Sequence, residues 1–302
     1  MEEKKEFRSG FVTLVGRPNV GKSTLMNHLI GQKIAITSAK PQTTRNRIQT
    51  VYTDERGQIV FLDTPGILKA RHKLDQFMLE EAESALGEVD LILWLVEPDP
   101  HIGGGDSHIA ELLRASKKPV ILVVNKIDRV DKNRKEAVFD AFRGLMDFRE
   151  ACAVSALKGA GVEKLRESIF RNLPEGPAYY DEETVTDETM RQIASEIIRE
   201  KALRLLSQEV PHGIAVLIDS MKQRENGLWD IEASIVCEKA SHKGIVIGKG
   251  GAMLKRIGTE ARKDIEEMCG SRVNLKLFVK VRTDWRDNPL FLRDYGYGMN
   301  RK

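Results

Sequence analysis

The sequence predicts two domains of different class: an α/β domain with a mixed, mostly parallel sheet and helices on both faces, then a smaller α+β domain. Three observations carry this. Residues 11–173 alternate short apolar runs with helix-period segments, as a sheet layered with helices requires. The stretch Pro174-Glu-Gly-Pro177, followed by Tyr179, Tyr180 and the acidic residues 181–183, breaks that rhythm and reads as a linker. The 302 residues, 41% hydrophobic and 31% charged, can bury a core and are about twice a common domain length.

Each element follows from local pattern. In the first domain, residues 1–174, the runs 11–15, 58–62, 89–96 and 119–124 are rich in Val, Ile and Leu without polar alternation, like strands buried on both faces. Residues 48–53 and 58–62 flank Asp54-Glu-Arg-Gly57 and read as a hairpin, so one antiparallel edge strand joins an otherwise parallel sheet. The linker covers 175–186 and the second domain 187–302. That domain opens with a helix carrying Met190, Ile193, Ala194, Ile197, Ile198 and Leu205 on one face, with Thr186, Asp187 and Glu188 suited to capping and Pro211 ending it. Strands 214–221 and 229–236 follow, joined by a turn at Asn226-Gly227. Then come a glycine loop, a short helix ending at Gly258, a second helix with Ala261, Ile265, Met268 and Cys269 on one face, and a strand 273–281. The predicted order is helix, strand, strand, helix, helix, strand.

Composition removes several classes. No apolar run approaches the ~18–20 residues of a spanning helix, and Met1-Glu-Glu-Lys-Lys has no signal-peptide apolar region, so the expected location is the cytoplasm. Cys152, Cys237 and Cys269 are odd in number and never in C-x-x-C, which argues against a disulfide framework or a zinc cluster. The six histidines form no metal spacing. The net charge of +3 is uneven: residues 239–302 hold 15 Lys and Arg against 7 Asp and Glu, a balance of +8, and the remainder balances at −5. A basic end suits a polyanion, nucleic acid above all, or else is a solvated charged face.

After the first strand stands Gly16-Arg17-Pro18-Asn19-Val20-Gly21-Lys22-Ser23, a G-x-x-x-x-G-K-[ST] loop, with Thr24 continuing into a helix. Such a loop curls backbone N–H groups around phosphates; Lys22 reaches the β and γ phosphates and the Ser23 hydroxyl binds Mg2+. Asp63-Thr64-Pro65-Gly66 ends a strand, where the carboxylate can hold Mg2+ and the Gly66 N–H can meet the γ phosphate. Asn125-Lys126-Ile127-Asp128 ends another. The Asp128 carboxylate can accept from guanine N1–H and the exocyclic amine, whereas adenine would face it with a lone pair. Asn125 can tie loops together near the base and the Lys126 stem can cover one of its faces. Ser155-Ala156-Leu157 can offer a backbone N–H to the guanine carbonyl. Between the first helix and the hairpin, residues 32–47 include Pro41-Gln-Thr-Thr-Arg45; a threonine there, Thr44 in preference to Thr43, can complete the Mg2+ shell when the γ phosphate is present and let go when it is lost.

These five motifs in order resemble the translation-factor-related class of P-loop GTPases, and with the C-terminal V-I-G-K-G-G segment the whole chain resembles its Era-like family. The resemblance implies a slow, Mg2+-dependent GTPase switching between GTP and GDP, with Lys22, Thr44, Gly66 and Asn19 at the reacting phosphate. It implies a monomer that binds the 3′ end of small-subunit ribosomal RNA and assists assembly of the small ribosomal subunit. Ile67 stands where Ras-like proteins place the water-orienting glutamine, so charge stabilisation falls to Mg2+, Lys22 and backbone donors. Relatives with asparagine at the place of Asn19 use it to hold K+, which adds K+ to the expected cofactors.

Gly248-Lys249-Gly250-Gly251 alone is a common turn; its neighbours make it resemble the loop of a type II KH domain. Glycines let an RNA backbone lie against the loop, Lys249 and the helix N-terminus favour its charge, and about four unpaired nucleotides fit such a clamp. The expected base groove lies near Ile245, Val246 and Ile247, with Lys255, Arg256 and the basic residues at 262, 263, 276, 280 and 282 adding salt-dependent affinity. Trp285, Phe291, Tyr295 and Tyr297 either stack on bases or pack the last element. A second reading makes the C-terminal domain a docking module for a protein or for the cytoplasmic side of the cell membrane, with peripheral attachment there.

Overall fold

The computed structural model describes residues 6–32, 34–38, 40, 43–67, 70–207 and 210–297. Pro41 and Gln42, within the segment expected to switch, lie outside the described residues. The chain divides into two units. Met1–Ala35, Thr44–Ala70 and Met78–Asp187 form the first, and Ile36–Thr43, Arg71–Phe77 and Glu188–Lys302 the second.

The first unit is built in chain order from β1 (Arg8–Val15), α1 (Lys22–Ile30), β2 (Ile48–Asp54), β3 (Gly57–Asp63), α2 (Lys73–Glu88), β4 (Leu91–Val96), α3 (Gly104–Ser116), β5 (Val120–Val124), α4 (Lys132–Arg143), β6 (Glu150–Ala153) and α5 (Val162–Asn172). The sheet order is β2-β3-β1-β4-β5-β6, with β2 antiparallel to β3 and every other pairing parallel. Alternate strand residues feed two cores. Leu14, Phe61, Leu93 and Val123 pack with Leu25 and Met26 of α1 and Leu165 of α5, while Leu62, Trp94 and Leu122 pack with Leu86 of α2, Ile109 of α3 and Phe142 of α4. Both faces are thus covered, which is why the strands read as unbroken apolar runs. The strand at residues 89–96 is shorter than expected, since β4 begins at Leu91, and α1 begins two residues early at Lys22.

Residues 175–186, read as a linker, line the first unit. Gln58 Oε1 accepts from the backbone N–H of Tyr179 and Tyr180, and Val51 N–H donates to the Val185 carbonyl. A buried glutamine and an unpaired edge strand give this segment its hydrogen bonds, which composition alone does not reveal.

The second unit contains α6 (Met190–Leu205), β7 (Ile214–Gln223), β8 (Trp229–Cys237), α7 (Ala240–Ile247), α8 (Ala252–Cys269), β9 (Val273–Val281) and α9 (Pro289–Asp294). Its sheet runs β7-β8-β9, antiparallel and then parallel. Ile198 of α6, Val246 of α7 and Ile257, Ala261 and Ile265 of α8 close one face over Ile214, Ala233 and Ile235. Three expectations are corrected. The N-cap of α6 is Thr189, in a reciprocal pair with Gln192, and not a residue of 186–188. The helix expected to end at Gly258 runs on to Cys269, because Gly258 keeps helical backbone and the left-handed cap is Gly270 at φ 60°. No helix is expected before the glycine loop, yet α7 stands there and ends in the Ile245-Val-Ile247 run, while both expected helices are parts of α8.

Candidate nucleotide and nucleic-acid sites

At the C-terminal end of β1 the loop from Gly16 turns into α1 at Gly21, whose φ of 100° is left-handed and whose missing Cβ leaves space for Asn125, 2.3 Å from where that atom would stand. Lys22 is buried, and its Nζ donates to the carbonyls of Gly16 (3.1 Å) and Arg17 (3.3 Å). Burial pushes this lysine down to about 8, against the pull of the Asp63 carboxylate. Gly66 lies beside it, since a Cβ there would sit 3.2 Å from Lys22 Nζ and 3.4 Å from the Pro18 ring. Val20 is packed in the core, and Thr24 is half-buried in α1.

Ser23, Thr44 and Asp63 converge. Asp63 Oδ2 accepts from the Ser23 hydroxyl (3.1 Å) and the Thr44 hydroxyl (3.0 Å), and the two hydroxyl oxygens lie 3.0 Å apart. Asp63 is fully buried, its carboxyl is pushed up by desolvation, and its Oδ1 has no partner. An orphaned carboxylate oxygen beside two hydroxyls is a donor set that fits a hard divalent cation such as Mg2+. Thr43 does not join them, its hydroxyl donating to the Lys40 carbonyl. Thr64 donates to the Leu14 carbonyl (3.3 Å), Pro65 is buried, and Ile67 is in the apolar core rather than at the site.

Around the opposite rim, Asn125 is the knot: its Nδ2 donates to the Val20 carbonyl (2.8 Å) and its Oδ1 accepts from Ala156 N–H (2.9 Å). Lys126, in the left-handed region at φ 61°, donates to the Asn19 carbonyl (2.7 Å) and to Glu97. Glu97 was not singled out in the sequence; only its place at the end of β4 marks it. The Ser155 hydroxyl donates to Asp128 (2.5 Å) and holds that exposed carboxyl below its usual range. Leu157 is 71% exposed next to them. The first unit thus gathers every expected nucleotide residue at one end of its parallel strands.

In the second unit the Gly248–Gly251 loop joins α7 to α8. Gly248 (φ 72°), Gly250 (59°) and Gly251 (80°) are all left-handed, and a Cβ on Gly248 would press on Met253 Cβ at 2.7 Å. Lys249, Lys255 and Arg256 are exposed. Of the residues expected at the base groove, Ile245 is 44% exposed, Ile247 half-buried and Val246 fully buried in the core. A cleft of about 350 Å³ opens between α8 and β9, floored by Leu254, Gly258, Leu275 and Leu277 and rimmed by Lys255 and Arg262. Sequence periodicity carried the signal, because Leu254 and Gly258 lie four apart on α8 and Leu275 and Leu277 two apart on β9. Trp285 is fully buried and donates to the Gly213 carbonyl (3.0 Å), with Tyr295 and Tyr297 against it, so these aromatics pack. Lys276 and Lys280 pair with Glu232 and Asp219, which reduces their contribution to the positive field.

Within the second unit, α6 holds Thr37 and Thr43. Glu200 Oε1 accepts from Thr37 N–H (3.0 Å) and Thr37 Oγ1 (3.2 Å), and Arg199 donates to the Thr43 carbonyl. Asp287 similarly accepts from Lys73 N–H (3.0 Å) and contacts His72 Nδ1 (2.8 Å). Among the described residues, no cluster could hold a metal through His, Cys, Asp and Glu alone, and no helix is long and apolar enough to cross a membrane.

Residues 11–126 match the model of the 50S ribosome-binding GTPases, and residues 209–286 that of the KH domain. The chain is 53% identical over 295 residues to GTPase Era of Lactobacillus helveticus, covering 98% of each, and 53% identical over 296 residues to that of Clostridium acetobutylicum, covering 98% of this chain and all of the other. A crystal structure of Era in complex with MgGDPNP and nucleotides 1506–1542 of 16S ribosomal RNA superposes with a TM-score of 0.93 at 39% identity, covering 97% of this chain and all of that one. An Aquifex aeolicus Era variant bound to GDP·AlF4− gives the same TM-score, identity and coverage.

Proposed function

The chain belongs to the Era family of GTPases, and on that premise we propose that it is a cytoplasmic switch that hydrolyses GTP and binds the 3′ end of small-subunit ribosomal RNA during assembly of the small subunit. One observation carries the switching part. Thr44 donates to Asp63 beside Ser23, while the carbonyl of the adjoining Thr43 is held by Arg199 of α6. Consecutive residues are tied to the nucleotide site and to the KH unit.

Ser23, Thr44 and Asp63 would hold Mg2+, which when bound draws charge from the β and γ phosphate oxygens. Lys22 neutralises the same oxygens, and the Gly66 N–H meets the γ phosphate. Asp128 reads guanine, the Ser155–Leu157 segment offers a backbone N–H to its carbonyl, and the Lys126 stem covers the ring. With Ile67 in the core, no side chain at that position orients the attacking water, so hydrolysis is slow. Asn19 would hold K+, which would supply further positive charge to the reaction: turnover is expected to rise when K+ replaces Na+, and Asn19→Ala to abolish that difference.

In the KH unit the glycine loop takes the RNA backbone, and the cleft between α8 and β9 takes bases. The relative crystallised with MgGDPNP and an RNA fragment together supports joint occupancy of the two sites. The test is Asp128→Asn. It lowers GTP affinity by roughly 100-fold or more and shifts preference to xanthosine triphosphate; indifference to the change refutes guanine recognition. Gly251→Asp, which sets a carboxylate beside an RNA phosphate, lowers RNA affinity while leaving GTP turnover intact.

A further inference from the structure

Asp106, at the start of α3, is 3% exposed, and its Oδ2 accepts from Gly103 N–H at 3.0 Å. The same oxygen lies 3.4 Å from Arg17 Nη1, an ion pair in which the carboxylate is buried and the arginine 40% exposed. The arginine lies along the Gly103–Gly105 backbone: a Cβ on Gly103 would stand 3.4 Å from its Nη1 and one on Gly105 3.3 Å from its Cδ. Arg17 is the second residue of the phosphate loop, and its carbonyl, with that of Gly16, accepts from Lys22 Nζ. A continuous chain of contacts therefore leads from α3 through the Arg17 side chain and peptide to the Lys22 ammonium.

We propose that Asp106 is a positioning residue for the GTPase reaction, fixing through Arg17 the phosphate loop and the Lys22 ammonium. This rests on the reading of Lys22 as the group that meets the β and γ phosphates. A buried carboxylate that only capped its own helix would be satisfied by Gly103 N–H; spanning to the phosphate loop adds a constraint on a backbone that reaches left-handed φ at Asn19 and Gly21. Charge on the phosphoryl oxygens grows toward the transition state, so a loosened loop costs turnover more than ground-state binding.

The test uses Asp106→Asn, which retains a cap acceptor and volume but loses the charge, Arg17→Ala, the double variant, and Lys22→Ala as a control. GTP turnover, KM and the thermal midpoint are measured on the full chain. The expected result is a loss of kcat of about 5- to 10-fold in each single variant, less than a twofold change in KM, an unchanged midpoint, and a double variant no slower than the slower single one. Wild-type kcat in Asp106→Asn and Arg17→Ala, with Lys22→Ala inactive, overturns the inference and leaves the site reading standing. So do losses that multiply in the double variant, or a loss of kcat that follows a lowered midpoint. Wild-type turnover in Lys22→Ala overturns the site reading itself.

Discussion

Asp128 is exposed, yet its carboxyl is held below the usual range, chiefly because the Ser155 hydroxyl donates to it. A lowered pKa keeps the carboxylate ionised, and so able to accept from guanine, down to more acid pH. Ser155→Ala removes that donor and lets the pKa rise toward its ordinary value near 4. GDP affinity in this variant should begin to fall at a higher pH than in the wild type as the medium is acidified. Titration of a fluorescent GDP analogue between pH 4 and 7 checks it; superimposable profiles contradict it. Residues of this kind were legible because each motif fixes backbone and side chain together over a few positions. Glu97 and Asp106 were not, since they act on Lys126 and Arg17 across distances in sequence of 29 and 89 residues that only the sheet order closes.

At the scale of elements, α8 shows why a glycine misleads. Read along the chain, Gly258 looks like a helix end; in the fold it brings α8 close to Leu277 of β9 and floors the cleft. Gly258→Ala should raise helix stability by about 0.5–1 kcal/mol, since alanine is the better helix former and its Cβ meets Leu277 at ordinary contact distance. Gly258→Leu should fill the cleft and weaken RNA binding at least tenfold with GTP turnover unchanged. Denaturant melts and filter binding report the two effects separately, and full RNA affinity in the leucine variant removes the cleft from the interface. The strands were legible because apolar runs and the hairpin turn are local signals. The helical state of α7 was not, because Val246 is its buried anchor and a single anchor gives no periodicity.

For the whole molecule the question is how a nucleotide signal reaches RNA. Residues 36–43 belong with the KH unit and Thr44 with the nucleotide unit, an allocation no composition shift announces. Glu200 is 1% exposed and takes both polar hydrogens of Thr37. Glu200→Ala leaves those donors unsatisfied, which should cost about 1–3 kcal/mol of stability. It should also remove most of the dependence of RNA affinity on the bound nucleotide, measurable by comparing GDPNP- and GDP-loaded protein; a variant that kept the full dependence would place the coupling elsewhere. The most direct measurement is the wild type itself. A labelled single-stranded oligoribonucleotide from the 3′ end of small-subunit ribosomal RNA is titrated with protein loaded with Mg2+ and either GDPNP or GDP. Affinity with GDPNP should be higher by about 5-fold or more, the range of an ordinary coupling energy between two sites. Equal affinity in the two states would contradict the account.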